Sequence, residues 1–141
     1  MKYRVVAVGR MKDAALRAAC DDYLERLTHY AKVEEHEVKD EARLAGGIPA
    51  GTRLVALSRV GDAWSSRDLA TRTEQWEREE RDVALVIGGA DALPRDVVGR
   101  ADDVWSLSAL TLPHELARVV VLEQLYRAHT IRRGEPYHRG A

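Results

Sequence analysis

The 141-residue sequence has one cysteine, no long apolar segment and a formal net charge of only −1. The single cysteine, Cys20, cannot form an internal disulfide, and without a CxxC pair no structural zinc site is expected. No stretch approaches the ~18–20 apolar residues of a membrane-spanning helix, and the apolar run near the start is too short for a signal peptide. We therefore expect a cytoplasmic protein without a metal or a membrane partner, in which Cys20 is a buried structural thiol.

The near-zero net charge hides an uneven distribution of charge along the chain. Residues 71–117 contain five arginines and ten acids, whereas residues 118–141 contain five arginines and two acids. Arginine clustered with tyrosine and histidine suits phosphate contacts and stacking on an unpaired RNA base. The RNA-binding candidates in this tail are Arg127, Arg132, Arg133 and Tyr137. The alternative is that the tail is a solvated, frayed terminus.

Short apolar runs alternate with helical patterns along the whole chain, which we interpret as one domain over residues 1–141. Strands are predicted at residues 3–8, 33–38 (a charged edge strand), 53–57, 83–87 and 104–107. Helices are predicted at residues 13–30 with Asp13 as N-cap, from Ser65 or Ser66 to about 80, at 94–100 and at 113–131. This alternation is typical of an α/β domain with a largely parallel sheet.

Two segments have features of a ligand site. The strand at 83–87 runs directly into Gly88 and Gly89, at the sheet edge where open α/β folds bind ligands. The GxGxxG and phosphate-loop patterns are absent, so a plain turn explains these glycines equally well. In residues 105–112, leucines alternate with Ser and Thr, as expected of a loop that covers an apolar ligand edge or of leucines that pack under the sheet.

The helix that follows is apolar on more than one face from Leu116 to Tyr126. In so small a domain, we expect the second apolar face to meet another subunit. Glu123 and Arg127 have the spacing of an i,i+4 ion pair, or else they orient the tail or the RNA.

Four motifs together are specific enough to indicate a family. GRMKD (residues 9–13), LVIGGADAL (85–93), DVWSLSALTLPHELARVVVLEQLYRA (103–128) and GEPYHR (134–139) occur in this order. They closely resemble the bacterial ribosomal RNA large subunit methyltransferase H family, of the SPOUT class. The resemblance implies a SPOUT fold with a C-terminal trefoil knot and S-adenosyl-L-methionine as cofactor. It also implies a homodimer with a composite site that methylates N3 of a pseudouridine in 23S ribosomal RNA, with the assembled ribosome as the expected substrate.

Carried over by position, the resemblance places the cofactor against Leu57, Gly88, Leu107, Ser108, Ala109, Leu110, Thr111 and Leu112. It places His138 and Arg139 at the target base. An imidazole exchanges its proton near neutral pH, so His138 is the candidate general base, although a purely RNA-positioning role is an equal alternative. Arg139 is the candidate for stabilising the developing anion or holding a phosphate. His114 is interpreted as structural.

The sequence departs from the family pattern at two places. Ala92 stands where the family usually has a glycine, which raises the question of a positive-φ turn there, and residues 40–51 are too few for the helical segment that relatives have. Other interpretations are a SPOUT methyltransferase for a different RNA position, a non-catalytic nucleotide-binding α/β module, and an inactive ribosome-associated relative.

Overall fold

The computed structural model describes residues 1–89 and 91–139, and its centre is one five-stranded sheet. The strands are β1 (Lys2–Val8), β2 (Lys32–Val38), β3 (Arg53–Ala63), β4 (Val83–Ile87) and β5 (Asp103–Ser106). Their order is β2-β1-β4-β3-β5, and every neighbouring pair is parallel. The predicted α/β class with a parallel sheet is confirmed.

Three helices connect strands, namely α1 (Ala14–Leu27), α2 (Ser66–Glu79) and α3 (Arg95–Arg100), and α4 (His114–Arg132) follows β5. The Asp13 carboxylate accepts the Leu16 N–H, so the predicted N-cap is confirmed. Of the two candidate serines, Ser65 caps α2, in a capping box with Asp68. Helix α1 ends three residues before the predicted boundary, because residues 28–30 form a turn that leads into β2.

The sheet is covered on both faces, which explains why its central strands are almost entirely apolar. Along β1, Val5 and Ala7 point to the face covered by α1, α2 and α4, whereas Val6 and Val8 point to the other face. The larger core includes Cys20, Leu27, Leu69, Trp76, Val121, Leu122 and Leu125, all buried. The predicted burial of Cys20 is thus confirmed.

The second face is covered by residues 40–51 and by α3. The short 40–51 segment forms two 3₁₀ turns, Glu41–Arg43 and Ala45–Gly47. Leu44 lies between them, is fully buried, and packs with Val6 and Val97. The segment that is too short for a longer helix therefore closes the core on this face.

Strand β3 is six residues longer than predicted because it bulges. Leu57 and Asp62 both pair with Trp105 of β5, so residues 58–61 are looped out of the ladder. A Cβ on Gly61 would lie 2.4 Å from the Val104 carbonyl oxygen, so this approach of two backbones requires glycine. The bulge projects at the end of β3 that carries the candidate site.

Within residues 1–89 and 91–139, no helix is long and apolar enough to cross a membrane. The trefoil knot stays a prediction, since it rests on the family resemblance and not on the strand order.

Candidate active site

A cavity of about 530 Å³ lies at the carboxyl ends of β3, β4 and β5, next to the first turn of α4. This size is within the range of small-molecule sites. The lining residues are Leu57, Ser58, Arg59, Val60, Ile87, Gly88, Gly89, Asp91, Ala92, Leu93, Val98, Trp105, Leu107, Ser108, Leu110, Thr111, Leu112, His114 and Ala117. The cavity is at the edge of the sheet where the sequence predicted a ligand site.

Seven of the eight residues predicted to contact the cofactor line this cavity. Leu57 comes from β3, Gly88 follows β4, and five residues come from the loop after β5. Ala109 belongs to that loop, but it is exposed and is not among the lining residues.

Serine side chains hold the loop after β5 in shape. The Ser106 hydroxyl donates to the Ser108 carbonyl oxygen at 3.1 Å, and the Leu110 N–H donates to the Ser108 hydroxyl at 2.9 Å. Such local bonds replace ladder hydrogen bonds in a tight loop. Arg59 in the β3 bulge donates to the Thr111 hydroxyl at 3.0 Å, which ties the two cavity walls together.

The glycines after β4 allow close packing around the turn, and neither has a positive φ. A Cβ on Gly88 would lie 3.1 Å from the Asp91 carbonyl oxygen, and one on Gly89 would lie 2.8 Å from a Glu41 carboxylate oxygen. Ala92, where the family resemblance predicts glycine, also lies outside the positive-φ region, so this departure causes no backbone strain.

Sequence reasoning missed the wall formed by Ser58, Arg59 and Val60. The only signal in the sequence was Gly61, an isolated glycine shortly after an apolar strand, which is typical of a bulge. Val60 is 87 % exposed, and Leu110 on the opposite wall is 73 % exposed. Two large apolar side chains therefore stand uncovered at the mouth of the cavity.

The predicted catalytic residues His138 and Arg139 lie elsewhere in the subunit. No residue of 133–139 lines the cavity, because the cavity is at the start of α4 and the tail leaves from its end, about 28 Å away along the axis. His138 is half-buried, and its Nδ1 is shielded from solvent without a hydrogen-bond partner among the described residues. Arg139 is exposed, and no ion pair to it is found within residues 1–89 and 91–139.

The other tail candidates make contacts within the subunit. The predicted Arg127–Glu123 pair is confirmed, with two hydrogen bonds to Glu123 Oε2 at 3.0 and 2.7 Å. Arg132 pairs with Glu77 at 2.6 Å. The Arg133 guanidinium lies over the Tyr30 ring, 4.9 Å from its centroid. These contacts contradict the interpretation of a frayed terminus as far as Arg133.

A buried arginine holds the loop at the carboxyl end of β1, the GRMKD segment. Arg118 of α4 is 1 % exposed, pairs with Glu37 of β2 at 2.5 Å, and donates to the carbonyl oxygens of Val8 and Gly9. Burial opposes ionisation of Glu37, but hydrogen bonds from Arg118 and the Met11 N–H outweigh it and lower the pKa of this carboxyl. The start of α4, which lines the cavity, is thereby joined to the edge of the sheet.

Comparisons with known proteins agree with this geometry. A family model described as predicted SPOUT methyltransferase matches residues 1–138. A protein named ribosomal RNA large subunit methyltransferase H from Sorangium cellulosum is 48% identical, over 97% of this chain and 99% of its own length. Proteins of the same name from Anaeromyxobacter and Burkholderia cenocepacia are 44% and 38% identical, each over 99% of this chain and 99–100% of their own lengths. This chain belongs to the ribosomal RNA large subunit methyltransferase H family of SPOUT methyltransferases.

Solved structures support the fold of a SPOUT methyltransferase. A methylase family protein from Haemophilus influenzae Rd KW20 superposes with a TM-score of 0.63 at 11% identity, over 98% of this chain and 70% of that one. A methylase family protein from Neisseria gonorrhoeae gives 0.57 at 14% identity, over 88% and 81%. Among the described residues of this family member, no group of three or more His, Cys, Asp or Glu side chains is placed to hold a metal ion.

Proposed function

We propose that this protein transfers a methyl group from S-adenosyl-L-methionine to N3 of a pseudouridine in 23S ribosomal RNA, and that it acts on the assembled ribosome in the cytoplasm. The observation that carries the proposal is the cavity at the carboxyl edge of the sheet, which the family motifs at residues 85–93 and 103–128 line together with the β3 bulge. Relatives at 38–48% identity over nearly their whole length are named for methylation of large-subunit ribosomal RNA.

The chemistry of the cavity fits the proposed cofactor. Leu57, Leu107 and Leu112 offer apolar surface to an adenine ring, and the loop backbone between them offers N–H and C=O groups. Asp91 and Arg59 are the only carboxylate and the only guanidinium among the described lining residues. A ligand that carries both an ammonium and a carboxylate can pair its ammonium with Asp91 and its carboxylate with Arg59.

The proposal requires a homodimer, because the catalytic candidates are remote from the cavity of their own subunit. A second copy can bring its His138 and Arg139 to this cavity and cover the exposed Val60 and Leu110. Covering them would remove two large apolar side chains from water, which favours association. We propose that each of the two sites combines one subunit's cavity with the other's tail.

When bound, the cofactor would supply an electrophilic methyl group on a sulfonium, with the thioether S-adenosylhomocysteine as the leaving group. N3 of pseudouridine is an imide nitrogen whose proton must leave. His138 is proposed to accept this proton, and Arg139 to stabilise the negative charge that develops on the imide or to hold a flanking phosphate. Alignment of the nitrogen with the methyl group can contribute up to roughly 7–11 kcal/mol of the barrier reduction.

RNA binding is proposed to depend on the basic tail rather than on the net charge of −1. The proposed RNA-facing surface consists of Arg133 and Arg139 together with their neighbours Arg127, Arg132 and Tyr137. Because few cations on this surface are free of internal partners, we expect weak, salt-sensitive binding to isolated RNA and better binding to the ribosome.

The test is transfer of labelled methyl from S-adenosyl-L-methionine to whole ribosomes and, separately, to free large subunits. We expect label at N3 of one pseudouridine, and its loss in His138→Ala and Arg139→Ala. Matched controls are His29→Ala and Arg78→Ala, two exposed residues on α1's connecting turn and on α2. Label at another RNA position would favour a different SPOUT activity.

A separate measurement tests the cofactor. Thermal stabilisation by S-adenosyl-L-methionine or S-adenosylhomocysteine, but not by flavin or nucleoside triphosphates, is expected. Stabilisation by nucleoside triphosphates alone would favour the non-catalytic binding module instead.

A further inference from the structure

The chain that follows α4 is folded back on its own subunit. Gly134, with a φ of +67°, ends the helix in the left-handed conformation, and the Glu135 N–H donates to the Thr130 carbonyl oxygen at 2.9 Å. The Tyr30 hydroxyl then donates to the Glu135 carboxylate at 2.6 Å. The tail therefore turns back toward α1 and the middle of α4.

Tyr137 is the main anchor of this returning segment. Its hydroxyl donates to Glu123 Oε2 at 2.8 Å and lies 3.1 Å from the Tyr23 hydroxyl of α1. The rings of Tyr137 and Tyr126 meet edge to face with centroids 4.7 Å apart, and the Arg127 guanidinium lies 4.9 Å from the Tyr137 centroid. One side chain of the tail thus touches two helices.

Glu123 organises these contacts. Its side chain is 18% exposed. Its Oε2 accepts from Tyr137 and twice from Arg127, and its Oε1 accepts from Gln124 at 2.7 Å. A carboxylate with this many donors is held in one orientation, and its charge strengthens each bond.

The protonation state of Tyr137 favours its hydrogen bond to Glu123. Burial first, and then the hydrogen bonds with Tyr23 and Glu123, raise the pKa of the Tyr137 hydroxyl well above its ordinary value. The hydroxyl therefore keeps its proton at physiological pH and remains a donor to Glu123.

We propose that Glu123 and Tyr137 form a latch that presents His138 and Arg139 to the composite site. The two proposed catalytic residues follow Tyr137 directly in the chain, so the place where Tyr137 is anchored sets where they can reach. Glu123 and Tyr137 are positioning residues in this arrangement, and Arg127 serves the latch by balancing the charge of Glu123. The inference rests on the proposed function of the tail.

A latch of this kind lowers the entropy that the tail must lose when it meets the substrate. Without the latch, His138 and Arg139 would sample many positions, and the position that permits catalysis would be less populated. Loss of a hydrogen bond to a charged acceptor reduces such a population by roughly 10- to 100-fold.

The test compares Tyr137→Phe and Glu123→Ala with Tyr126→Phe, a matched control that touches the same ring but donates no bond to the tail among the described contacts. In the two latch variants we expect kcat for methyl transfer to fall roughly 10- to 100-fold. The Kd for S-adenosyl-L-methionine should change far less than kcat, because the residues predicted to contact the cofactor belong to the cavity and the tail is proposed to contact the target base. Glu123→Gln keeps an acceptor for Tyr137 and should recover part of the activity.

Hydrogen exchange of the Glu135 and Arg139 amides provides a readout that does not depend on activity. Both N–H groups are bonded in the anchored tail, so both should exchange faster in Tyr137→Phe than in Tyr126→Phe. Unchanged exchange, or wild-type kcat in Tyr137→Phe when the wild type is active, would overturn the latch. A wild-type protein that transfers no methyl, but whose tail amides respond as described, would overturn the proposed function and leave the latch standing.

Discussion

Acidification is predicted to destabilise this protein through one buried histidine. His129 on α4 is 4% exposed, and its ring stacks on Tyr30 with centroids 5.5 Å apart. Its Nδ1 lies 3.5 Å from the Arg132 guanidinium, and its Nε2 lies 3.2 Å from the Tyr3 hydroxyl. A guanidinium can only donate, so the His129 ring accepts at Nδ1 and is neutral. Protonation of Nδ1 would place its N–H against the N–H of Arg132, which is unfavourable.

The size of the effect follows from the lowered affinity of His129 for a proton. Burial, and then the charge of Arg132, lower the pKa of His129 from 6.5 to about 4, against a smaller opposite effect of Glu77. The unfolded chain therefore binds a proton before the folded one does. The stabilisation is complete above about pH 6.5 and is lost as the pH falls toward 4, so about 2 kcal/mol should disappear between pH 7 and pH 5.

The assay is urea unfolding of the wild type and His129→Gln at pH 7, 6 and 5, at one fixed protein concentration. The other four histidines and all carboxyl groups are common to both proteins, so their titration cancels in the comparison. The difference in the free energy of unfolding should move by about 2 kcal/mol in favour of the variant as the pH falls from 7 to 5. Parallel pH profiles for the two proteins would refute the reasoning.

Three further predictions concern single residues of the core and the site. Gly61→Ala should lower the Tm and weaken binding of S-adenosyl-L-methionine, because the new Cβ would meet the Val104 carbonyl oxygen at 2.4 Å; calorimetry measures both. Arg118→Met should cost about 1–3 kcal/mol of stability in urea unfolding, because it removes the hydrogen bonds that the buried guanidinium donates to the Glu37 carboxylate and to two backbone carbonyl oxygens. Burial raises the pKa of the Cys20 thiol to about 11, so iodoacetamide at pH 8 should label it only after unfolding, as mass spectrometry would show.

Each of these has a contradicting result. A Tm for Gly61→Ala equal to that of Gly99→Ala, where a Cβ has open space, would exclude the tight backbone approach. Partial recovery of stability in Arg118→Met at pH values that protonate Glu37 is expected, and its absence would count against the lost hydrogen bond to Glu37 as a cause. Rapid labelling of Cys20 in the folded protein would show that the core around α1 opens readily.

Much of the fold could be predicted from local sequence because burial and capping leave local patterns. β4 was predicted to the residue, since both faces of the sheet are covered and all five of its residues are buried. β2 was predicted at the edge from its run of charges. Asp13 and Ser65 indicated where α1 and α2 begin, because each side chain accepts a hydrogen bond from the backbone N–H three residues later.

The features that only the tertiary structure decided depend on contacts between residues far apart in the chain. The length of β3 and its bulge arise from pairing with β5, so the cavity wall at residues 58–60 could not be read from that segment alone. The arginines of the tail were predicted as a basic surface, yet Glu77, Glu123 and Tyr30 already engage three of them. Composition shows which charges are present, whereas only the packing of α4 against α1 and α2 decides which remain free.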